Sequence, residues 1–344
     1  MKKIDYLSTL FVGIDIVSRL NVISALNFEQ ELLIRMVPVP NAQYEAEQME
    51  QLISDVLGQH HEFHSVIIGL ESTGFYGVHI ANYLSTCEKL APFSTRVYCL
   101  NPKEVAKYKE SFNSLDKNDG IDSFVIADFA RVGRISIQPW RGAQYLALQR
   151  LTRHRLHITE CIAREKTYML NNIFLKFSEF AMLNKEAHPF SDKYGATAEA
   201  VLTEYLSTEA IVTASVDELV SFISSKSRGR IADPEQTTYL LQKAAQDSYR
   251  LDKCLYEPLT VSIGCSFNCI SAFEKELKAI DDAILRTVKG LNPTEYQILN
   301  SVPGIGKVYA SGILAFTTIV RVKCCRNVLN SNFFINFQKN SSLN

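Results

Sequence analysis

Between Thr9 and Pro40 the apolar residues fall in three short blocks, TLFVGIDIVS, NVISALNF and ELLIRMVPVP, separated by short turns at Arg19-Leu20 and Glu29-Gln30. Blocks of this length, rich in β-branched residues and bounded by turns, predict a β-meander. The period then changes. Gln43 to about Leu57 reads as a helix, HSVIIGLES as a buried strand, Tyr76 to about Thr86 as a helix and RVYCLNP as a strand, with further helices after Pro102 and after Asp119. Around Gln138-Pro139-Trp140 the strand pattern stops, and nearly everything to Leu291 is helical.

Three antiparallel strands followed by alternating helices and strands are the element order of an α/β, ribonuclease-H-like domain. In the helical remainder, Tyr145 to Leu175 forms one long amphipathic stretch with Leu151, Ile158, Ile162 and Met169 on a single face. A second long helical region runs from Glu235 to Val288, with an interruption expected at Gly264 and the β-branched residues near Thr260. Two long helices separated by an irregular insert predict an α-hairpin arm or a coiled-coil dimer.

The chain has 344 residues, 47% of them hydrophobic, which is enough for two or three packed units. Its 36 Lys and Arg nearly cancel its 37 Asp and Glu, so any surface for a polyanion must be a local patch. No segment approaches the roughly 20 uninterrupted apolar residues of a membrane span. The start, MKKIDYLSTLFVGID, meets an acid before it completes a signal-peptide run, so a cytoplasmic location and no membrane partner are expected. Eight scattered cysteines read as free thiols; neither Cys265 with Cys269 nor Cys324-Cys325 has the paired spacing of a zinc site.

Four carboxylates change the picture most. Strand alternation puts Phe11, Gly13, Asp15 and Val17 on one face, so Asp15 is a charge on a largely buried strand, costly unless paired with a cation. Glu71 closes the apolar run SVIIGLE just before a Ser-Thr-Gly turn, and ligands of such sheets gather at strand ends. Asp119 and Asp122, three residues apart, project from one face of a helix. Hard oxygen ligands of this kind suit Mg²⁺ or Mn²⁺, and a two-metal site of them can cut or rejoin phosphodiesters. Each acid alone has an ordinary alternative: Asp119 as a helix cap, Asp122 as a partner of Arg131 or Lys117.

Basic residues supply candidate nucleic-acid contacts. Arg150, His154, His157 and Arg164 flank the apolar stripe of the first long helix, as a basic ridge along a phosphate backbone or as an ordinary solvated face. In LNSVPGIGKVYASGILAF, Pro303-Gly304-Ile305-Gly306 is a tight turn between two apolar helices, resembling a helix-hairpin-helix in which Gly304, Gly306 and Lys307 approach a phosphate. Lys226-Ser-Arg-Gly-Arg230 is a small basic loop, weak evidence by itself.

Together these residues resemble the DEDD transposases of bacterial insertion sequences, the bridge-RNA-guided recombinases related to the Piv DNA invertases. The matching segments are FVGID around Asp15, GLESTGFYG around Glu71, Asn101-Pro102, the Lys117-Asn-Asp-Gly-Ile-Asp122 stretch and SVPGIGKVYASGILA. In the fourth, Asn118 and Ser123 stand where the family pattern K-T-D-x-x-D-A has Thr and Ala. The resemblance implies a RuvC-like domain over residues 1–140 whose Asp15, Glu71, Asp119 and Asp122 bind Mg²⁺ or Mn²⁺. It further implies a helical coiled-coil arm with an insert over 141–291 and the helix-hairpin-helix start of a C-terminal transposase domain over 292–316. The implied partners are insertion-sequence ends and target DNA, a structured guide RNA, and further copies of the chain.

The resemblance ends at Ala315. The family continues with a segment carrying a serine nucleophile, whereas residues 317–344 are basic, cysteine-bearing and Asn-rich. Ser331, Ser341 and Ser342 lack the family's serine-glycine pattern, so no nucleophile is assigned. The abrupt change near Phe316 is what a frameshift leaves, and a truncated enzyme with impaired strand exchange is the expectation. The alternatives are a RuvC-like hydrolytic nuclease using the same acids with water, and a non-catalytic nucleic-acid-binding remnant. An actin-like or sugar-kinase ATPase is disfavoured, because Ile16-Val17-Ser18 follow Asp15 where a phosphate loop needs glycine.

Overall fold

The computed structural model describes residues 4–71, 74–112, 121–133, 135–184 and 186–316. The described residues divide into two compact units, one running up to Ala147 and including Phe316, the other of Leu148–Ala315.

In the first unit, β1 (Thr9–Ile16), β2 (Leu20–Leu26) and β3 (Leu32–Pro40) form the expected meander, followed by α1 (Gln43–Gln59), β4 (Ser65–Glu71), α2 (Val78–Thr86), β5 (Arg96–Leu100), α3 (Pro102–Lys109) and α4 (Ile121–Arg131). The strands make one sheet in the order β3-β2-β1-β4-β5. β2 is antiparallel to both β1 and β3, and β4 is parallel to both β1 and β5. A mixed five-stranded sheet with helices on both faces is compatible with an α/β, ribonuclease-H-like domain.

The central strands are apolar on both faces because both faces are covered. Leu10, Val12 and Ile14 of β1 with Val66, Ile68 and Leu70 of β4 pack against Met49, Ile53 and Leu57 of α1 and Ile80 and Leu84 of α2. Phe11, Ile67, Tyr98 and Leu100 pack on the other side against Val105 of α3 and Val125, Ile126 and Phe129 of α4. Burying each of these side chains contributes roughly 1.5–3 kcal/mol, so pairing register is strongly specified. The β2–β3 ladder is irregular, with one register shift between Ala25 and Leu26. Met36 has a φ of 46°, and the β2–β3 register also shifts between Ile23 and Ala25. There the Met36 amide donates to the Ser24 hydroxyl at 3.3 Å instead of continuing the ladder.

The second unit is helical. It holds most of α5 (Ala143–Lys176), then α6 (Ser178–Met182), α7 (Ala196–Glu204), α8 (Thr208–Thr213), α9 (Val216–Ser227), α10 (Pro234–Asp247), α11 (Lys253–Leu291), α12 (Pro293–Asn300) and most of α13 (Lys307–Phe316). α5 and α11 run side by side and antiparallel: Arg155 pairs with Asp281, Lys166 with Glu274, Glu165 accepts from Ser266, Asn172 donates to Ser262 and Lys176 to Thr260. Among the described residues, no helix is long and apolar enough to cross a membrane.

Two expectations need correction. The stretch between the long helices is not irregular: α6 to α10 share a core in which Phe177, Phe180, Val201, Leu219, Ile223 and Leu241 meet Met169 and Ile173 of α5 and Ile263 and Phe267 of α11. Capping explains the starts of α8, α9 and α10, since Ser207, Ser215 and Asp233 each accept a hydrogen bond from the backbone N–H three residues on. The break in the second helical region also lies elsewhere. It falls between Asp247 and Lys253, where Asp252 caps α11, and the helix runs unbroken past Thr260 and Gly264. A Cβ built on Gly264 would lie 3.7 Å from the methyl of Thr203 on α7, an ordinary contact, and the helix passes through this residue despite its low helix propensity.

Candidate active site at the acidic end of the sheet

β1 and β4 are paired up to Ile14 and Leu70, so Asp15 and Glu71 occupy the next positions at the same end of neighbouring parallel strands. Side chains two residues apart share a face. Asp15 therefore follows Phe11 and Gly13, and Glu71 follows Ile67 and Gly69, on the side covered by α4.

What brings α4 down onto that side is a pair of glycines. Gly13 and Gly69 face each other across the strands. A Cβ on Gly13 would sit 2.0 Å from the Ser123 carbonyl oxygen and 2.3 Å from the Ala127 nitrogen, so only glycine lets the helix backbone lie on β1. A Cβ on Gly69 would meet Leu100 Cδ1 at 3.0 Å and Ile126 Cγ2 at 3.1 Å. Each glycine precedes its acid by two residues, a repeated G-x-D and G-x-E spacing that the sequence reading did not use.

The close approach delivers the first turn of α4, with Asp122, to the same sheet end. The carboxyl of Glu71 is held above its ordinary range by its own burial, then by the negative charges of Asp15 and Asp122, while Lys109 pulls it down. Asp15, Glu71 and Asp122 are all half-buried. Asp122 is ion-paired with Lys109 at the end of α3, not with Arg131. α3 itself is set by Asn101-Pro102, where Asn101 Oδ1 accepts from the Lys103 N–H at 3.0 Å and Pro102 takes the first helical position. Asp119 and Lys117 lie outside the described residues.

Two neighbouring features were not anticipated. Ser123 is fully buried, and its hydroxyl is 2.7 Å from that of Ser24, so the same serine that receives the Met36 amide satisfies it. Asp128, also buried, accepts from Tyr108 at 2.6 Å, from Gln30 at 2.9 Å and from Arg131 at 2.7 Å, which locks α4 to α3 and to the β2–β3 turn. Arg131 is thereby committed to Asp128.

Hard carboxylate oxygens beside one ammonium group are a donor set for a divalent cation, with Lys109 holding a positive charge against Asp122. Among the described residues, no three His, Cys, Asp or Glu side chains stand close enough to hold one ion together. The arrangement brings three of the four expected acids within electrostatic reach of one another, short of a closed coordination shell.

The other candidate residues lie in the second unit. Arg150, His154, His157 and Arg164 are exposed on one side of α5, with the His154 and His157 rings stacked at 6.1 Å. Cys161 lies between His157 and Arg164 in sequence; its sulfur is 3.7 Å from His157 Nε2 and accepts from Arg164 at 3.5 Å. Gly304, Gly306 and Lys307 are exposed in the turn between α12 and α13, where Gly304 has a φ of 88°. A Cβ on Gly306 would meet nothing within 4 Å, so packing inside the chain does not ask for glycine there.

Residues 12–176 match the family model of the IS110-type DEDD transposases, described as a transposase. The match runs from β1 to the end of α5 and includes the positions of all four acids and of the α5 ridge. A search of curated proteins finds no match.

Proposed function

We propose that the chain is a DEDD transposase of an insertion sequence, as the match of residues 12–176 to that family model supports, and that the acidic end of its sheet is the centre at which DNA phosphodiesters are cut and rejoined. The observation that carries this reading is the convergence of Asp15, Glu71 and Asp122 at one end of the sheet, close enough that the other two carboxylates, with burial, push the Glu71 carboxyl up. Asp15, Glu71 and Asp122, with Asp119, are the residues that would hold Mg²⁺ or Mn²⁺. The ion would supply Lewis-acid stabilisation of the phosphodiester oxygens. The chain's own part is to hold the carboxylates converged, and Lys109 offsets part of their repulsion until a cation is bound.

In this reading residues 1–140 are a RuvC-like catalytic domain and the α5–α11 hairpin is the arm of residues 141–291. α12 and α13 form a helix-hairpin-helix within residues 292–316. Arg150, His154, His157 and Arg164 along α5, and Gly304, Gly306 and Lys307 in the hairpin turn, would contact phosphates of the element's DNA or of a structured guide RNA, and the working form is a homo-oligomer. No nucleophilic serine is proposed. The sequence beyond Phe316, on which impaired strand exchange was expected, lies outside the described residues.

The test is magnesium-dependent cleavage of element-end DNA by the purified chain, with its flanking transcript, beside Asp15→Ala. Cleavage lost in the variant is the expected result. A covalent protein–DNA adduct indicates strand exchange through a protein nucleophile, and cleavage without an adduct indicates hydrolysis by water. Binding that survives the substitution, with no cleavage by either protein, would leave only a nucleic-acid-binding remnant and overturn the catalytic reading.

A further inference from the structure

We propose that a cavity of about 600 Å³ in the helical unit binds a phosphate group, presented by a single nucleic-acid strand or by a free mononucleotide. Its walls are the loop leading into α7 and the basic turn that follows α9. The volume lies within the usual range for small-molecule sites, roughly 300–1,000 Å³, and accommodates a phosphate with its sugar and base.

The charge of the lining is lopsided. Lys226, Arg228 and Arg230 stand against one carboxylate, Asp192. Asp192 is turned back on its own loop, where it accepts the Tyr194 N–H at 2.9 Å. Lys226 is paired with Glu204. The guanidinium groups of Arg228 and Arg230 make no hydrogen bond or ion pair with any described residue. Nothing in the packing asks for arginine at either place: both are exposed, and Arg228 has a φ of 51°, where glycine or asparagine is more comfortable. Two planar forks of N–H donors are the chemistry that matches phosphate oxygens.

The opposite wall adds to this. α7 begins after Gly195 with no side-chain cap, and its first helical bond is Glu199 N–H to the Gly195 carbonyl at 2.9 Å. The N–H groups of Ala196, Thr197 and Ala198 therefore have no intrahelical acceptor, and all three residues line the cavity. The proposal deepens the nucleic-acid reading of the helical unit, yet its phosphate chemistry is independent of the carboxylate centre.

Binding to the full chain would be measured without divalent cation, using a fluorescent 12-nucleotide single strand and, by calorimetry, AMP. The variants are Arg228→Glu with Arg230→Glu, and Lys243→Glu as an exposed control in the same unit. The double variant is expected to weaken the strand, AMP or both about tenfold or more, and to flatten the salt dependence of strand binding by about 1.4 in log–log slope, for two lost phosphate contacts. Loss confined to the strand assigns the phosphate to nucleic acid, and loss confined to AMP assigns it to a nucleotide. Unchanged binding of both ligands, or an equal loss in Lys243→Glu, overturns the proposal. Circular dichroism melts of the double variant are expected to match those of the parent. Asp15→Ala, which tests the catalytic reading, is expected to leave this binding intact, so the two readings fail separately.

Discussion

Burial shifts Glu71 in the first unit and Lys176 in the second in opposite directions. Glu71 ends a strand half-buried, its carboxyl pushed up by burial and by Asp15 and Asp122. Lys176 is 3% exposed in the helical core, and burial alone pulls its ammonium down to about 8. Lys176 donates to the Leu202 carbonyl and the Thr260 hydroxyl, both at 2.6 Å, and so ties α5 to α7 and α11 through neutral oxygens. The two groups differ in company. Like charges gathered at an open sheet end create a demand for a cation, whereas a solitary ammonium bonded to neutral oxygens is a structural strut. A displaced titration marks a site only when its neighbours share the problem.

The largest expected effect comes from breaking the company itself. Gly13→Ala would drive a methyl into backbone atoms of α4, at 2.0 Å from the Ser123 oxygen, where no side chain can move aside. A loss of about 4 kcal/mol or more is expected, since the helix must lift off the strand. Gly69→Ala meets only the ends of Leu100 and Ile126 and should lose about 1–2 kcal/mol. The single tryptophan, Trp140, packs against the core of this unit, so denaturant unfolding followed by its fluorescence reads the difference. Equal losses at the two glycines would show that α4 is not seated by Gly13.

Next comes the strut. The folded pKa of Lys176, about 8, lies below the unfolded value near 10.4, so below pH 8 the side chain is charged in both states and the burial penalty is present in full. Between about pH 8 and 10.5 the folded state gives up its proton first, and stability rises with pH. A gain of up to about 3 kcal/mol across that window is expected from this residue. Lys176→Met should flatten the slope, with urea unfolding followed by far-ultraviolet circular dichroism at pH 7.5 and 9.5. A variant that keeps the slope would show that another group titrates there.

Much of the first unit was legible because hydrophobic period and strand length agree. All five strands and the helices between them fall where alternation, caps and turns put them, and the acids were visible as charges interrupting apolar runs. The partners of those acids were not legible. That Lys109 rather than Arg131 meets Asp122 depends on the path of α3, and Asp128 is an unremarkable helical acid until folding sets it against Tyr108 and Gln30. The closeness of α4 was written in the two glycines, but their spacing has meaning only once Gly13 is known to face Gly69. In the helical unit the caps were present in the sequence, and Ser215-Val-Asp-Glu218 has the residue pattern of a capping box, with the Glu218 N–H donating to the Ser215 hydroxyl. The shortness of α6 to α10 hid these helices, because a helix of 5 to 14 residues holds too few apolar repeats to stand out as one stripe.

The smallest expected effect isolates the electrostatics without disturbing the fold. In the absence of divalent cation, Asp15→Asn or Asp122→Asn should bring the Glu71 carboxyl down toward its ordinary range, and Lys109→Met should push it further up. Titration of the side-chain carboxyl by carbon-detected NMR reads these directions. A group whose folded pKa is raised contributes stability at low pH that is lost as pH rises through the folded value. Either Asn variant should therefore lose less stability than the parent on going from acid to neutral pH. Adding Mg²⁺ should lower the Glu71 titration in the parent and do so less in Asp15→Asn, because a cation offsets the repulsion that the substitution has already relieved. A Glu71 titration indifferent to all three substitutions would reduce it to a solitary buried acid, the mirror image of Lys176.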